Sequence, residues 1–380
     1  MKIGITGQAG FVGTHLYNTL GLYPDKFERI PFEDAYFDDN SKLEEFARQC
    51  DTIVHLAAMN RHNDPEVIYS TNIGLVNKLI AACEATQSKP HIIFSSSTQE
   101  ERDNLYGKSK KEGRLLFEQW AIKNSAMFSG FVIPNVYGPF GKPYYNSVVA
   151  TFCHQLTHGE QPKIEVDGEL KLIYVSELVE FFIERILLHS VTQSKNTELR
   201  SETINIPHTA TIKVSAILEK LNEYKTNYFE KGIFPNLTDP FERNLFNTFV
   251  CYIDHSKFFP FNLDLKTDDR GSFVETVKLN SGGQVSFSTT KPGITRGNHF
   301  HTRKAERFAV IKGKAIIELR QIGTDKKFTF ELDGSKPSFV DMPIWFTHNI
   351  KNVGNEDVYT IFWISEHFDA NDPDTFFETV

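Results

Sequence analysis

The chain has 380 residues, of which 40% are hydrophobic and 24% charged, with a formal net charge of −8. That length favours two or more domains with separate cores. The acidic balance argues against sequence-independent binding of nucleic acid, which draws on a surplus of Lys and Arg. No stretch approaches the roughly 18 apolar residues of a membrane span, so neither nucleic acid nor membrane is expected as a partner.

Met1-Lys-Ile-Gly-Ile-Thr-Gly opens directly on a strand and leaves no room for a signal peptide, so a cytoplasmic location is expected. Cys50, Cys83, Cys153 and Cys251 lie far apart without a CxxC pair and read as reduced, buried thiols.

The run Lys2–Thr6 leads into Gly7-Gln-Ala-Gly10-Phe11-Val12-Gly13, after which Phe11, Val12, His15, Leu16 and Leu20 recur at helical spacing. This is strand, glycine-rich turn, helix. The glycines allow a tight turn and close approach of the backbone to a pyrophosphate, and the helix N-terminus offers N–H groups and a positive dipole end to the phosphates. The second strand, near Phe27–Phe32, ends without one clear acidic residue. Arg29 suits the 2′-phosphate of NADP(H), Glu33 or Asp34 the ribose hydroxyl of NAD, and both readings stay open.

Thr52-Ile-Val-His-Leu56-Ala57-Ala58 reads as a buried strand carried into a small-residue turn. An apolar stripe at Ile73, Val76, Leu79, Ile80 and Cys83 predicts a helix over 72–83, and His91–Ser97 is a strand ending in hydroxyls. Alternating strands and helices imply βαβ units, a doubly wound parallel sheet, and ligands at the carboxyl ends of the strands. Tyr106 and Lys110 then share one face of a helix. An ammonium beside the phenol is expected to lower its pKa from about 10 toward neutrality, so that Tyr106 can give a proton to a carbonyl oxygen while hydride arrives at carbon.

Gly7, Gly10, Gly13, Leu56-Ala57-Ala58, Ser97, Tyr106 and Lys110, with Pro134-Asn135-Val-Tyr-Gly-Pro139, resemble an extended short-chain dehydrogenase/reductase acting on nucleotide sugars. The resemblance implies a Rossmann-type domain in which Ser97 and Tyr106 hold the substrate carbonyl or alcohol and Lys110 the nicotinamide ribose. It also implies that Asn135, with Asn146 and Ser147, contacts the sugar nucleotide. The interval from Ser97 to Tyr106 is shorter than in most relatives, which hints at a more open site. Lys171-Leu-Ile-Tyr-Val-Ser-Glu-Leu stands where many relatives carry an arginine.

Between roughly Asn222 and Pro260 the pattern loosens into aromatic, Asn- and Pro-containing sequence, and a boundary near Tyr252 divides the chain into 1–251 and 252–380. Beyond it, short apolar runs such as 284–289, 308–312, 315–320 and 359–364 alternate with glycine turns and predict an all-β barrel or jelly roll.

His299 and His301 alternate along one strand and face inward, Glu306 is reachable after a turn, and His348 comes from a later strand. The set suits a divalent ion, Zn, Fe, Mn, Ni or Cu, and geometry alone decides poorly among them. Its spacing after Gly293, closed by Gly313 and then Pro343, His348 and Asn352, resembles a metal-binding cupin, although Trp345 replaces the usual glycine. Asp268-Asp-Arg270-Gly-Ser-Phe273-x-Glu275 and Gly293-Ile-Thr-Arg296-Gly-Asn-His299 also resemble the cupin-shaped deoxysugar 3,5-epimerases. That resemblance implies Arg270 and Arg296 on the nucleotide-sugar diphosphate and His299 as a metal-free base. If His299 instead binds metal, Lys304 or another lining group has to move the proton.

Together the halves resemble the bifunctional enzymes of bacterial capsule and lipopolysaccharide synthesis on the route to UDP-N-acetyl-L-fucosamine. The resemblance implies a UDP-linked 2-acetamido-2,6-dideoxy-4-ketohexose as substrate, inverted at carbon 3 by the cupin and reduced with NADPH to the L-talo sugar. It also implies a homodimer or higher homo-oligomer. The rival expectations are a sugar-nucleotide epimerase or dehydratase, with the cupin serving for dimerisation or sugar binding.

Overall fold

The structure, a computed structural model, describes residues 1–195, 201–269 and 271–380. Met1–Tyr137, Gly141–Val148 and Gly168–Lys213 form one compact unit, and Gly138–Phe140, Val149–Asp167 and Val214–Val380 form another.

In the first unit β1 (Lys2–Thr6), α1 (Phe11–Gly21), β2 (Glu28–Ile30), α2 (Asn40–Gln49), β3 (Thr52–His55), α3 (Pro65–Thr86), β4 (His91–Ser97), α4 (Leu105–Asn124) and β5 (Phe128–Ile133) follow one another. They are followed by β6 (Asn135–Tyr137), β7 (Glu169–Tyr174), α5 (Val175–Lys195), β8 (Glu202–Asn205) and β9 (Ala210–Lys213). Six strands make one parallel sheet in the order β2-β1-β3-β4-β5-β8, while β6, β7 and β9 form a separate small sheet. A parallel sheet is covered on both faces, so its central strands are buried along their length rather than on alternate residues; all of β3 is buried. On one face α2, α3 and α4 bury Phe46, Leu79 and Phe117, and on the other α1 and α5 bury Leu16, Leu20 and Phe182. This is the expected Rossmann-type fold. Helix α3 runs longer than its apolar stripe predicts because Asp64 caps it, accepting the Glu66 N–H at 3.0 Å, with Pro65 in its first turn.

The second unit holds the antiparallel cupin barrel. Its strands are β10 (Phe261–Asn262), β11 (Gln284–Thr290), β12 (Thr295–Phe300), β13 (Glu306–Lys312), β14 (Lys314–Gln321), β15 (Lys327–Asp333), β16 (Ser338–Met342), β17 (Phe346–Asn352), β18 (Val358–Ile364) and β19 (Phe376–Phe377). They build two five-stranded sheets, β10-β16-β13-β18-β11 and β15-β14-β17-β12-β19. Ala309, Ile317, Leu319, Phe330, Val340, Met342 and Ile350 fill the space inside. Trp345, where related motifs have glycine, adopts the left-handed backbone itself (φ 62°). Its N–H donates to the His301 carbonyl at 2.8 Å, so the turn is kept without the glycine.

Helices α6 (Val214–Tyr224) and α7 (Pro240–Val250) precede Tyr252 in sequence but pack in the second unit. The stretch that reads as loosened pattern is therefore partly helical. Every residue of α7 from Asn244 to Val250 is buried, and a helix buried all round has no polar face to give it a visible period. Arg307 and Asp341, both buried, pair at 2.7 and 2.8 Å, while Tyr228 donates to Asp341 and Arg307 to the Gly232 carbonyl. Cys50, Cys83 and Cys153 are buried free thiols and Cys251 a half-buried one. Among the described residues no helix is long and apolar enough to cross a membrane.

Candidate active sites

The chain leaves β1 for β2 on one side and returns to β3 on the other, so the strand order reverses between β1 and β3. The crevice at the carboxyl ends of such strands is where open α/β sheets take their ligands. Gly7 turns there with φ +71°; a Cβ on it would lie 2.8 Å from the Ala57 nitrogen, and one on Gly13 would lie 2.3 Å from the Gly7 oxygen. Leu56, Ala57 and Ala58 thus close against the turn that Gly7, Gly10 and Gly13 make possible. Thr6 ties the two strand ends together, its hydroxyl bonded to His55 Nδ1 at 2.9 Å and accepting the Ala57 N–H at 3.4 Å. Helix α1 starts at Gly10 without a side-chain cap, with Phe11 and Val12 half-buried in its first turn. Arg29 is held against α1: it donates to the Tyr17 carbonyl at 3.1 Å and stacks over the Tyr17 ring at 4.2 Å.

Ser97 ends β4, and its hydroxyl accepts the Gln99 N–H at 3.2 Å. Tyr106 stands in the first turn of α4, whose cap Asn104 accepts the Gly107 N–H at 2.7 Å. One turn on, buried Lys110 reaches back, its Nζ donating to the Ser95 carbonyl at 2.9 Å and lying 5.8 Å from the centre of the Tyr106 ring. Lys110 and Tyr106 thus lie beside β4, whose last residue is Ser97. The expected lowering of the phenol pKa is not found. Burial, with Tyr145 nearby, pushes Tyr106 up to about 12, and burial brings Lys110 down to about 8 against an opposing pull from Glu100. Desolvation is the largest cause for both groups.

Three further interactions had no part in the sequence reading. Asn72, buried on α3, accepts the Met59 N–H at 2.7 Å and donates to the Ser109 hydroxyl at 3.0 Å; Ser109 in turn donates to the Tyr106 carbonyl at 2.7 Å. An asparagine beside an apolar stripe was the available signal. The Tyr145 phenol accepts the Asn60 N–H at 3.2 Å, and Arg61 donates to the Tyr144 and Tyr145 carbonyls at 3.0 and 3.1 Å. This fastens the segment carrying exposed Asn146 and half-buried Ser147 to the loop after β3. Arg114 forks onto Glu100, which also accepts from Ser96. Asn135 opens β6 and is exposed.

In the second unit a bulge between Gly297 and His299, with Asn298 left-handed (φ 61°), sets His299 opposite His348. His301 follows β12 and Glu306 begins β13. One ligand atom from each of these four residues lies within 4.8 Å of the others. Glu306 Oε2 is 3.2 Å from His348 Nε2, 3.3 Å from His301 Nε2 and 4.0 Å from His299 Nε2. His301, Glu306 and His348 are buried, while His299 is about a quarter exposed at 26%. Burial works to raise the Glu306 carboxyl, but His301 and His348 hold it below the usual carboxylate range. Burial and His348 lower His299 to about 4.

His301 Nδ1 donates to the Asp374 carbonyl, so in the neutral ring Nε2 carries the lone pair. His301 Nε2, His348 Nε2 and Glu306 Oε2 are buried without hydrogen-bond partners among the described residues. Acceptors converging on one point, out of reach of water, fit a divalent cation.

Arg296 is exposed and donates to the Thr289 carbonyl at 3.1 Å. Arg270 lies outside the described residues. Lys304 is buried, with its ammonium donating to the Pro373 carbonyl at 2.8 Å.

Comparison with known proteins agrees with this two-part architecture. Residues 3–199 match the NAD dependent epimerase/dehydratase family and residues 266–376 the polysaccharide biosynthesis C-terminal domain. A UDP-2-acetamido-2,6-beta-L-arabino-hexul-4-ose reductase from Pseudomonas aeruginosa is 33% identical over 99% of this chain and 98% of its own. The crystal structure of the capsular polysaccharide assembling protein CapF from Staphylococcus aureus matches with a TM-score of 0.62, 33% identity and full coverage of both chains. The structure of RMD from Pseudomonas aeruginosa, complexed with NADPH, shares the fold of the first half at 20% identity and a TM-score of 0.51, covering 59% of this chain and 82% of its own. The chain therefore belongs to the NAD dependent epimerase/dehydratase family, as a full-length relative of CapF with the polysaccharide biosynthesis domain at its C-terminal end.

Proposed function

We propose that the chain is a bifunctional nucleotide-sugar enzyme of polysaccharide synthesis. Residues 252–380 epimerise carbon 3 of a UDP-2-acetamido-2,6-dideoxy-4-ketohexose. Residues 1–251 then reduce the 4-ketone with NADPH to UDP-2-acetamido-2,6-dideoxy-L-talose. The observation that carries this reading is that one chain holds both Ser97, Tyr106 and Lys110 at the end of β4 and a cluster of buried acceptors in the barrel. The activity in the name of the Pseudomonas aeruginosa relative supports the reductive half.

The turn Gly7–Gly13, with Leu56–Ala58, would hold the dinucleotide, which supplies hydride when bound. Tyr106, kept protonated at neutral pH by its burial, gives its proton to the ketone oxygen. Ser97 is assigned to orient that oxygen, and Lys110, anchored on Ser95, would hold the nicotinamide ribose. Asn135, Asn146 and Ser147 are assigned to the sugar nucleotide. His301, Glu306 and His348, with His299, would hold a divalent ion, zinc first, which supplies positive charge beside a developing enolate oxygen. His299, the least buried of the four, is assigned to the substrate side of the cluster. A hydrogen beside a ketone is acidic only while the ketone exists, so epimerisation precedes reduction. Arg270 and Arg296 are assigned to the diphosphate in the barrel, and the working form to a homodimer.

The test is deuterium uptake by the 4-keto UDP-sugar in heavy water without NADPH, read by mass spectrometry. Uptake is expected from the intact chain and from Tyr106→Phe, which should lose reduction by a factor on the order of 100 to 10,000; His348→Ala should lose uptake. No uptake by the intact chain, with NADPH-dependent reduction of the same sugar retained, would leave the barrel a binding or assembly module.

A further inference from the structure

The segment that closes the chain is attached to the barrel at one particular place. The Asp374 carboxylate is buried, at 5% exposure, and accepts four hydrogen bonds from three consecutive residues. Oδ1 takes the Thr302 N–H at 3.0 Å and the Thr302 hydroxyl at 2.6 Å; Oδ2 takes the Arg303 N–H at 3.0 Å and the Lys304 N–H at 2.9 Å. Successive backbone N–H groups wrapped round one anion form a nest. Here the nest is the link between His301 and Glu306. The backbone carbonyl of Asp374 is used as well, accepting from His301 Nδ1. A carbonyl can only accept, so this bond fixes the hydrogen on Nδ1 and leaves Nε2 turned toward the cluster, 3.3 Å from Glu306.

The rest of the segment holds Asp374 there. Arg303 forks onto Glu366 at 3.0 and 3.1 Å and reaches Asp372 at 2.9 Å, Lys304 Nζ binds the Pro373 carbonyl, and β19 pairs Phe377 with His299 and Phe376 with Phe300. Asp374 has a left-handed backbone (φ 39°), which Asp and Asn tolerate better than most residues.

We propose that Glu366–Phe377 is a strap that sets the metal site of the barrel, with Asp374 as its positioning residue. The side chain freezes the link between two ligands while the carbonyl aligns one of them. The inference rests on the reading of His299, His301, Glu306 and His348 as metal ligands. It adds that metal affinity depends on a residue that touches neither metal nor substrate and is supplied by the far end of the chain.

Zinc affinity of the full chain, measured by competition with a chromophoric chelator, tests this, with the absorption spectrum of the cobalt(II)-loaded protein as a second readout. Asp374→Asn keeps the size and backbone preference but puts an NH2 group against N–H donors. It should weaken zinc binding by a factor on the order of 10 to 100 and alter the cobalt spectrum. Thr302→Ala, which removes a single bond to Asp374, should weaken it less and carries the test should Asp374→Asn fail to fold. Arg320→Ala cuts the bonds from Arg320 to Glu378 and to the Thr379 carbonyl, in the same tail but away from the nest; it should lower the melting temperature and leave zinc affinity unchanged. Wild-type affinity in a folded Asp374→Asn protein, or in Thr302→Ala where that variant carries the test, would overturn the proposal. So would an equal loss of affinity in Arg320→Ala. Failure of the unaltered chain to take up zinc or cobalt would instead sink the metal reading on which the proposal stands.

Discussion

Gly107 lies so close to Gln99 that a Cβ on the glycine would fall 2.0 Å from the Gln99 carbonyl oxygen. The turn carrying Ser97 and the first turn of α4 carrying Tyr106 can therefore meet only if the residue after Tyr106 has no side chain. Gly107→Ala must push the two apart. Since a displacement of about 1 Å costs on the order of 100-fold in rate, NADPH-dependent ketone reduction should fall by roughly that factor. NADPH oxidation followed by absorbance checks this, and an unchanged rate would show that the spacing from Ser97 to Tyr106 does not matter. Zinc binding by the barrel should not change.

Lys110 sets a pH limit on the same site. Burial brings its ammonium down to about 8, and Tyr106, pushed up to about 12, stays protonated well above that. As pH rises through about 8 the Lys110 charge is lost while the Tyr106 phenol keeps its proton. The kcat/KM for NADPH, which reports groups of the free enzyme, should hold below this pH and decline above it. In Lys110→Arg the decline should disappear from this range, whatever the remaining activity.

His255 gives the second unit an acid-sensitive stability. Its ring is caged by Phe259, Phe328 and Phe346 at centroid distances of 5.8, 5.8 and 5.2 Å, and neither ring nitrogen has a hydrogen-bond partner among the described residues. Burial, helped by Lys326 and opposed by Asp254, lowers it from 6.5 to about 4. The folded state therefore favours the neutral ring. Its contribution is intact above pH 6.5 and is lost as pH falls from there toward 4, by about 1.4 kcal/mol per pH unit at most. Denaturant unfolding of wild type and His255→Phe from pH 7 to 4 should show a shallower loss in the variant; parallel curves would contradict the assignment.

The Arg307–Asp341 pair is fully enclosed, with the Arg307 guanidinium 3.5 Å above the Phe339 ring centre. Removing one charge strands the other, so Asp341→Leu alone should cost about 3–5 kcal/mol of stability. Replacing both, Arg307→Met with Asp341→Leu, should cost markedly less. Chemical denaturation of the two variants decides. A double variant as weak as the single would mean that the bonds to Tyr228 and Gly232, rather than the uncompensated charge, dominate.

Much of both candidate sites can be read from short stretches of chain. The Gly7–Gly13 turn, the one-turn spacing of Tyr106 and Lys110, and the His299, His301 and Glu306 series are local patterns, and local backbone geometry places their side chains. The same logic misleads where burial takes over. Helix α7 has no polar stripe because its residues from Asn244 to Val250 are all buried.

The sequence by itself determined the two architectures, the order of the elements that carry the motifs and the residue types in those motifs, because periodicity and motif spacing act over a few residues. Tertiary structure alone decided the couplings across long separations: Asn72 to Ser109, Tyr145 to Asn60, and Asp374 to His301, which lie 73 residues apart. It also decided the direction of the Tyr106 shift. A pKa, a fixed tautomer or a satisfied carboxylate depends on which groups exclude water from a point in space, and the chain defines that point only once it has closed around it.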